Sequence, residues 1–207
     1  MSFEVVSLRQ LLDNYETREI ITQLNDFASI NDDVESFLKK KAIQFEKVGL
    51  SRTTLVYTSI KGDLKLAGYF AISSKPLTIS KKNWNKLSNG VRRKLLPMGY
   101  RTEQDNYEVS SILLGQLGVN FKYKSSHIIT GNELLALSYE EIKKAWMASG
   151  GTMLYLEAKN IPYLREFYTS NGFSQLLLKE SDEDKVPSIP YVSVNHLHLY
   201  VKKLTDI

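Results

Sequence analysis

The chain has few kinds of residue suited to covalent or acid–base chemistry. Its 207 residues include no cysteine, so a thiol nucleophile, a zinc ribbon and a disulfide scaffold are excluded. Three histidines are present, His127, His196 and His198. His196 and His198 are two apart and share one face of a strand with Tyr200. That spacing suits a metal ligand pair, yet no carboxylate pattern completes a site, and a plain sheet face is the simpler account. Glycine 115 and glycine 118 interrupt the most apolar run, Val-Ser-Ser-Ile-Leu-Leu-Gly-Gln-Leu-Gly-Val over 109–119. Glycine weakens a strand and marks a bulge or a close approach of ligand to backbone. Tyr168 stands in Phe-Tyr-Thr-Ser-Asn-Gly-Phe, residues 167–173. By itself it reads as a half-buried helix tyrosine with its hydroxyl at the surface.

Charge is uneven. Residues 75–124 carry ten lysines and arginines against three carboxylates, whereas residues 1–40 carry four against eight. The central excess is suited to phosphate, whether of a nucleotide or a nucleic acid, and equally to a solvated helix face.

The elements that must position these residues alternate in period. Leu8, Leu11 and Leu12, then Ile20, Ile21 and Leu24, predict helix at the N-terminus. A second helix is predicted with Asn31 or Asp32 as cap, a stripe of Val34, Phe37, Leu38, Ala42, Ile43 and Phe45, and Gly49 as stop. The period of two in 53–59 and 66–73 predicts a hairpin across Lys61-Gly62-Asp63. Ser80 caps a basic helix that Pro97 ends, and residues 98–107 read as loop. Val109–Val119 is the strongest strand, its apolar run implying burial on both sides. A helix follows from Gly131 to about Ser149, then a strand over 152–157. A short helix over 162–170 ends at Asn171-Gly172, then come strands over 173–178 and 196–203. Residues 181–190 read as an exposed loop. The fold class is α/β, with a mixed sheet of about seven strands in one domain over 1–207. The N-terminus is too charged and short for a signal peptide, and no apolar stretch is long enough to span a bilayer. A cytoplasmic protein without membrane contact is expected.

Three stretches resemble the GNAT superfamily of acyl-CoA-dependent N-acetyltransferases. They are Ser-Ile-Leu-Leu-Gly-Gln-Leu-Gly-Val-Asn over 111–120 with the glycine-led helix start Gly-Asn-Glu-Leu-Leu, the strand Thr-Met-Leu-Tyr-Leu-Glu-Ala-Lys-Asn over 152–160, and Leu-Arg-Glu-Phe-Tyr-Thr-Ser-Asn-Gly-Phe over 164–173. The resemblance implies a GNAT-like mixed sheet with helices on both faces and a splayed central pair of parallel strands. It implies acetyl-CoA as acyl donor, no metal, and a primary amine as acceptor, attacked directly in a ternary complex. Leu117, Gly118 and Val119 match the segment that pairs with the pantetheine amides. Gly131 and Asn132 match the helix start that receives the pyrophosphate, with Lys122 and Lys124 as nearby charge. The loop 122–132 departs from the family's Gln/Arg-x-x-Gly-x-Gly/Ala and keeps only its last glycine. Asn160 matches a hydrogen bond to the cofactor arm, or serves as a helix N-cap. Tyr168 matches the general acid that protonates the leaving thiolate.

Glu108 and Glu157 are candidate bases, but a water chain serves as well, and no base is assigned. His127 falls in the phosphate loop with no role assigned. The layout Asp-Asp-Val-Glu-Ser-Phe-Leu-Lys-Lys-Lys-Ala followed by a strand ending in Gly-Tyr-Phe-Ala-Ile-Ser is loosely similar to the tRNA-acetylating toxins. This implies, as a secondary reading, RNA contact through the basic stretch 81–101. The other reading is a solvated helix that covers the sheet edge through Trp84, Leu87 and Leu95. The alternative is a non-catalytic nucleic-acid- or protein-binding module on the same fold. The acceptor and the oligomeric state stay open.

Overall fold

The computed structural model describes residues 2–126, 128–178, 191–193 and 196–207. In chain order the elements are β1 (Glu4–Ser7), α1 (Leu8–Asn14), α2 (Thr17–Asn25), α3 (Asp32–Ser36), a π-turn (Phe37–Lys41), α4 (Ala42–Lys47), β2 (Arg52–Ile60), β3 (Asp63–Ser74) and β4 (Leu77–Ile79). Then come α5 (Lys81–Lys86), α6 (Asn89–Leu95), β5 (Gly99–Arg101), β6 (Tyr107–Val109), β7 (Ser111–Val119), a 3-10 segment (Phe121–Ser126) and α7 (Gly131–Ser149). The chain closes with β8 (Met153–Ala158), α8 (Pro162–Ser170), β9 (Ser174–Gln175) and β10 (His198–Lys203). Contacts divide it into two compact units, Met1–Ser73 with Leu114–Ile142, and Ser74–Leu113 with Lys143–Ile207. Strand β7 belongs to both. The sheet order, read through it, is β1-β2-β3-β7-β8-β10-β9. The mixed α/β class inferred from the sequence is the one observed.

In the first unit, the β2–β3 hairpin turns on Lys61 and Gly62, both with positive φ. That two-residue geometry matches the strands' own twist. The N-terminal helices pack on one face of these strands, with Leu8, Ile20, Leu24, Phe27, Leu38 and Tyr69 at the centre of the core. Tyr69 is fully buried, and its hydroxyl donates to the Val34 carbonyl at 2.5 Å and to Gln116 Oε1 at 3.3 Å. Its ring stacks on Phe37 and meets Phe27 edge-on. Glu46, also buried, accepts from Arg52 Nη1 at 2.8 Å and the Thr53 N–H at 2.9 Å, fixing α4 to β2. The opposite face receives α7, since a Cβ on Gly68 would lie 3.1 Å from the Leu134 side chain. Helices therefore cover both faces.

The second unit has its own core. Trp84 of α5 lies 4.0 Å from the ring of Tyr107, and Leu87, Leu95, Val109, Met153, Tyr155 and Leu199 complete it. Strands β4, β6 and β5 form a separate three-stranded sheet.

Several expectations need correcting. Strand β5 and the start of β6 fall where loop was expected, and β1 and β4 fall in stretches to which no element was assigned, because strands of three or four residues are too short to display a period of two. The N-terminal helix is two helices, since Tyr15 and Glu16 are extended. The basic helix is also two, because Leu87 is extended and Ser88 starts a second cap on the Val91 N–H. Val109 belongs to β6 and not to the central strand. His196 has φ +60 and precedes β10, so it does not share a strand face with His198. The strand expected over 173–178 is reduced to Ser174–Gln175, with an isolated bridge from Leu178 to Leu87 beyond it. The loop expected over 181–190 lies outside the described residues.

Gly118 is the tightest point of the first core. A Cβ there would stand 2.5 Å from Val34 Cγ1, 3.0 Å from Phe27 Cζ and 3.1 Å from Tyr69 Cε1. Gly118→Ala should destabilise the protein by about 1–3 kcal/mol through overpacking. Urea unfolding should show a lower midpoint with an unchanged slope.

Candidate functional site

Strand β7 pairs with β8 in parallel only through Ser111↔Met153, Ile112↔Leu154 and Leu113↔Tyr155. Beyond Leu113 the β8 ladder stops, while β7 continues to Val119 with β3 as its neighbour. Burial changes at the same place. Ile112 and Leu114 are buried, Gly115 is exposed, and Gln116, Leu117 and Val119 are half-buried. The two-sided burial expected for the whole strand thus holds only for its first half. The bareness of Gly118 serves packing, because the space a side chain would take is filled by Val34, Phe27 and Tyr69.

The end of β7 is held by Asn120, which is 1% exposed. Its Oδ1 accepts from the N–H groups of Ala28 (3.0 Å) and Lys122 (3.1 Å). Its Nδ2 donates to the carbonyls of Leu66 (2.9 Å) and Asp26 (3.3 Å). Asn120 was read from the sequence only as the end of a motif. Polar side-chain atoms facing four separate backbone groups leave no periodic signal.

Lys122 is paired with Asp26, whose other oxygen accepts from the Tyr123 hydroxyl at 2.5 Å. Burial, the largest single influence, pushes the Asp26 carboxyl up. The hydrogen bonds from Lys122 and Tyr123, with the charges of Lys122 and Lys65, outweigh it and hold the carboxyl below its ordinary 3.8. The same bond to Asp26, aided by burial, pushes Tyr123 up to about 12. Lys122 therefore already has a carboxylate partner in the first unit. Lys124 lies in the 3-10 segment, and His127 lies outside the described residues.

Helix α7 begins at Gly131, as the sequence implied. Its start is a capping box. The Thr130 hydroxyl accepts from the Glu133 N–H at 3.2 Å, and Glu133 Oε2 accepts from both the Thr130 N–H and its hydroxyl at 2.8 Å. The bond from the Thr130 N–H, then that from its hydroxyl, hold the Glu133 carboxyl low. Gly131 and Asn132 thus open a helix whose positive end already faces one carboxylate of its own.

In the second unit, Tyr168 sits on α8 and is buried. Phe167 and Phe173 meet its ring edge-on at 5.0 and 5.7 Å, and the Tyr200 ring lies 5.5 Å away. Burial, then the neighbouring Tyr200 and Tyr163, push its hydroxyl well above the ordinary phenol range. The surface-exposed helix tyrosine, the alternative reading of Tyr168, is not what is observed, since the residue is buried. The helix ends as predicted. Gly172 takes φ +81, the Phe173 N–H reaches the Tyr168 carbonyl at 3.0 Å, and Lys202 Nζ donates to the Asn171 carbonyl at 3.0 Å.

Asn160 is exposed, and the cap position of α8 belongs to Ile161, with no side-chain capping bond. The N-cap account of Asn160 is thereby set aside. Glu108 lies on β6, accepting from Thr78 Oγ1 and the Tyr100 hydroxyl. Glu157 is half-buried on β8. His198 is buried with Nδ1 at 2.6 Å from Gln175 Nε2, and desolvation, then the Arg165 charge, hold its ring below the ordinary histidine value. Among the described residues no three histidines or carboxylates converge as a metal site, and no helix is long and apolar enough to cross a membrane.

No protein-family model matches the chain, and no curated protein matches it. Solved structures do match. A mutant of the toxin KacT, with phenylalanine in place of a tyrosine, is 16% identical with a TM-score of 0.62, the match covering 99% of this chain and 96% of that one. A tyrosine-to-phenylalanine mutant of the toxin AtaT, bound to the C-terminus of the antitoxin AtaR and acetyl-CoA, is 16% identical with a TM-score of 0.60, covering 99% and 95%. AtaT complexed with acetyl-methionyl-tRNAfMet is 17% identical with a TM-score of 0.55, covering 91% and 95%. At these identities the likeness establishes the fold, which is GNAT-like, as the resemblance implied.

Asp26 generates a pH prediction. Its carboxyl is lower in the folded than in the unfolded chain. The stability it contributes is complete above its ordinary value and lost as pH falls through the folded one. Asp26→Asn should lower stability at neutral pH and flatten the part of the acid-unfolding curve that lies below pH 3.8. Denaturant titrations across that range check both.

Proposed function

We propose that residues 1–207 form one acetyltransferase domain that moves an acetyl group from acetyl-CoA to a primary amine. The observation that carries this reading is the short β7–β8 ladder. It ends at Leu113↔Tyr155 while β7 runs on to Val119, leaving backbone amides outside that ladder for an extended ligand. The pantetheine arm is such a ligand, and Leu117, Gly118 and Val119 are the residues proposed to meet it. Asn160 is exposed and free of a capping role, which agrees with a bond to the same arm. Gly131 and Asn132 would take the pyrophosphate at the start of α7, with Lys122 and Lys124 adding positive charge. The AtaT structure holding acetyl-CoA supports the donor.

Transfer would proceed by direct attack. The amine nitrogen bonds to the thioester carbonyl carbon, a β7 N–H polarises the carbonyl oxygen, and the C–S bond breaks. Tyr168 gives its proton to the departing sulfur. The KacT and AtaT mutants lacking a tyrosine hydroxyl are consistent with such a role for a tyrosine on this fold. With no cysteine in the chain, direct attack needs no acyl-cysteine. Positioning and charge stabilisation supply most of the rate.

An aminoacyl-tRNA is the proposed acceptor. The AtaT complex with acetyl-methionyl-tRNAfMet favours it, as do the basic helices α5 and α6. Lys82, Lys86, Arg93 and Lys94 are exposed there. Lys81 is bound to Asp105 at 2.6 Å, and Arg92 is half-buried beside Asn89. The bound antitoxin segment of AtaR supports an antitoxin-like protein partner.

Three measurements test the reading. Tyr168→Phe should lower kcat for thiol release by about 10²–10⁴-fold with acetyl-CoA affinity retained. A variant with normal kcat would remove Tyr168 as the acid. Gly131→Asp should abolish acetyl-CoA binding in calorimetry while circular dichroism stays unchanged. Reversing Lys82, Lys86, Arg93 and Lys94 should raise the KM for aminoacyl-tRNA and spare that for acetyl-CoA. Nucleic-acid binding with a steep salt slope, and none of acetyl-CoA, would favour the non-catalytic module instead.

A further inference from the structure

Tyr200 is fully buried, and its hydroxyl has no hydrogen-bond partner among the described residues. A buried hydroxyl in that state has lost its bonds to water and gained nothing in return. Phenylalanine would fill the same space without the loss. The polar side chains flanking Tyr200 on the same strand face are engaged. His198 meets Gln175, and Lys202 meets the Asn171 carbonyl. In register, Tyr200 stands opposite Gln175 on β9 and Leu156 on β8. Its ring lies 5.5 Å from that of Tyr168, tilted by 41°. Phe167 and Phe173 meet the Tyr168 ring edge-on and offer no donor, while the Tyr163 phenol and the Arg165 guanidinium are further polar groups whose electrostatic influence reaches Tyr168 and Tyr200 respectively.

We propose that the Tyr200 hydroxyl is the hydrogen-bond donor that receives Tyr168 once Tyr168 has given up its proton. This inference rests on the reading of Tyr168 as the general acid. In that step the C–S bond breaks and the sulfur takes the proton from Tyr168 Oη, leaving coenzyme A as a thiol. Tyr168 becomes a phenolate among aromatic rings, where an anion is poorly solvated. The Tyr200 O–H donates to that phenolate and keeps its own proton. The proton shed by the acceptor nitrogen returns to Tyr168 through solvent. The bond is charged only after transfer begins, so it favours the transition state over the resting enzyme. Tyr200 touches neither donor nor acceptor in this scheme and is a positioning residue.

The test compares wild type, Tyr200→Phe, Tyr168→Phe and the double variant, following thiol release from acetyl-CoA with bulk aminoacyl-tRNA. Tyr200→Phe should lower kcat about tenfold, leave the KM for acetyl-CoA unchanged, and melt no lower than wild type. In the Tyr168→Phe background it should cost nothing further, because the group it serves is gone. Fluorotyrosine at position 200, a stronger donor of the same shape, should restore kcat to at least the wild-type value. Wild-type kcat in Tyr200→Phe, the same loss in both backgrounds, or a lowered melting temperature would each overturn the inference. So would a fluorotyrosine enzyme as slow as Tyr200→Phe. Normal kcat in Tyr168→Phe would overturn the general acid itself, and no thiol release by wild type would overturn both.

Discussion

One buried amide holds the first unit together. Asn120 uses both amide oxygen and amide nitrogen to join the end of β7 to α2, to the Ala28 segment that follows it and to β3. Its backbone N–H adds a bond to the Ala67 carbonyl at 2.8 Å. Those groups come from three stretches far apart in sequence. An aspartate could not donate to Leu66 and Asp26, and an alanine would remove the side-chain partner of four backbone groups, of which the Leu66 carbonyl bond is buried and the other three part-buried. Through the Leu66 and Ala67 carbonyls this residue ties the end of β7 to β3, close to where Phe27 packs against Gly118 and where the chain leaves toward α7. The Asp26 carboxylate then extends the same junction outward through Lys122 and Tyr123.

Against that fixed point, two charged residues near the start of α7 have a structural occupation. Lys122 is engaged by Asp26, and the first turn of α7 is engaged by Glu133. A phosphate arriving at Gly131 would meet a helix end whose field is already partly satisfied. On the proposed reading, backbone N–H geometry, more than net charge, would supply the affinity there. The loop before it lacks the glycines that the family uses to bring such groups together, which fits the same conclusion.

Legibility in the sequence followed length and locality. Helices α7 and α8 could be read to their terminal residues because Gly131, Pro162 and Asn171-Gly172 are local signals. The β2–β3 hairpin could be read from its period and its glycine turn. Strands β1, β4, β5 and β6 could not, since their pairing is decided by partners distant in the chain. Val109 and Ile112 look like one apolar run. They separate because Ser111 Oγ folds back onto the Val109 carbonyl and Ser110 serves Thr152 as an acceptor. At the candidate site, Tyr168 was visible through its motif, whereas Tyr200 was read only as a neighbour of two histidines. An orphaned hydroxyl is a property of three-dimensional surroundings and has no trace in residue order.

Neither unit is a continuous stretch of chain, and this bears on how the protein is made. During synthesis residues 1–73 emerge with β3 as an open edge, its partner β7 still to come. That edge closes only when Leu114–Ile142 has left the ribosome, after most of the other unit's helices and small sheet have already appeared. The second unit waits longer, because β10 follows every other strand in chain order. The nascent chain therefore carries two unfinished cores at once. The charged residues along α5 and α6, emerging between them, would help keep those cores soluble until each receives its closing strand.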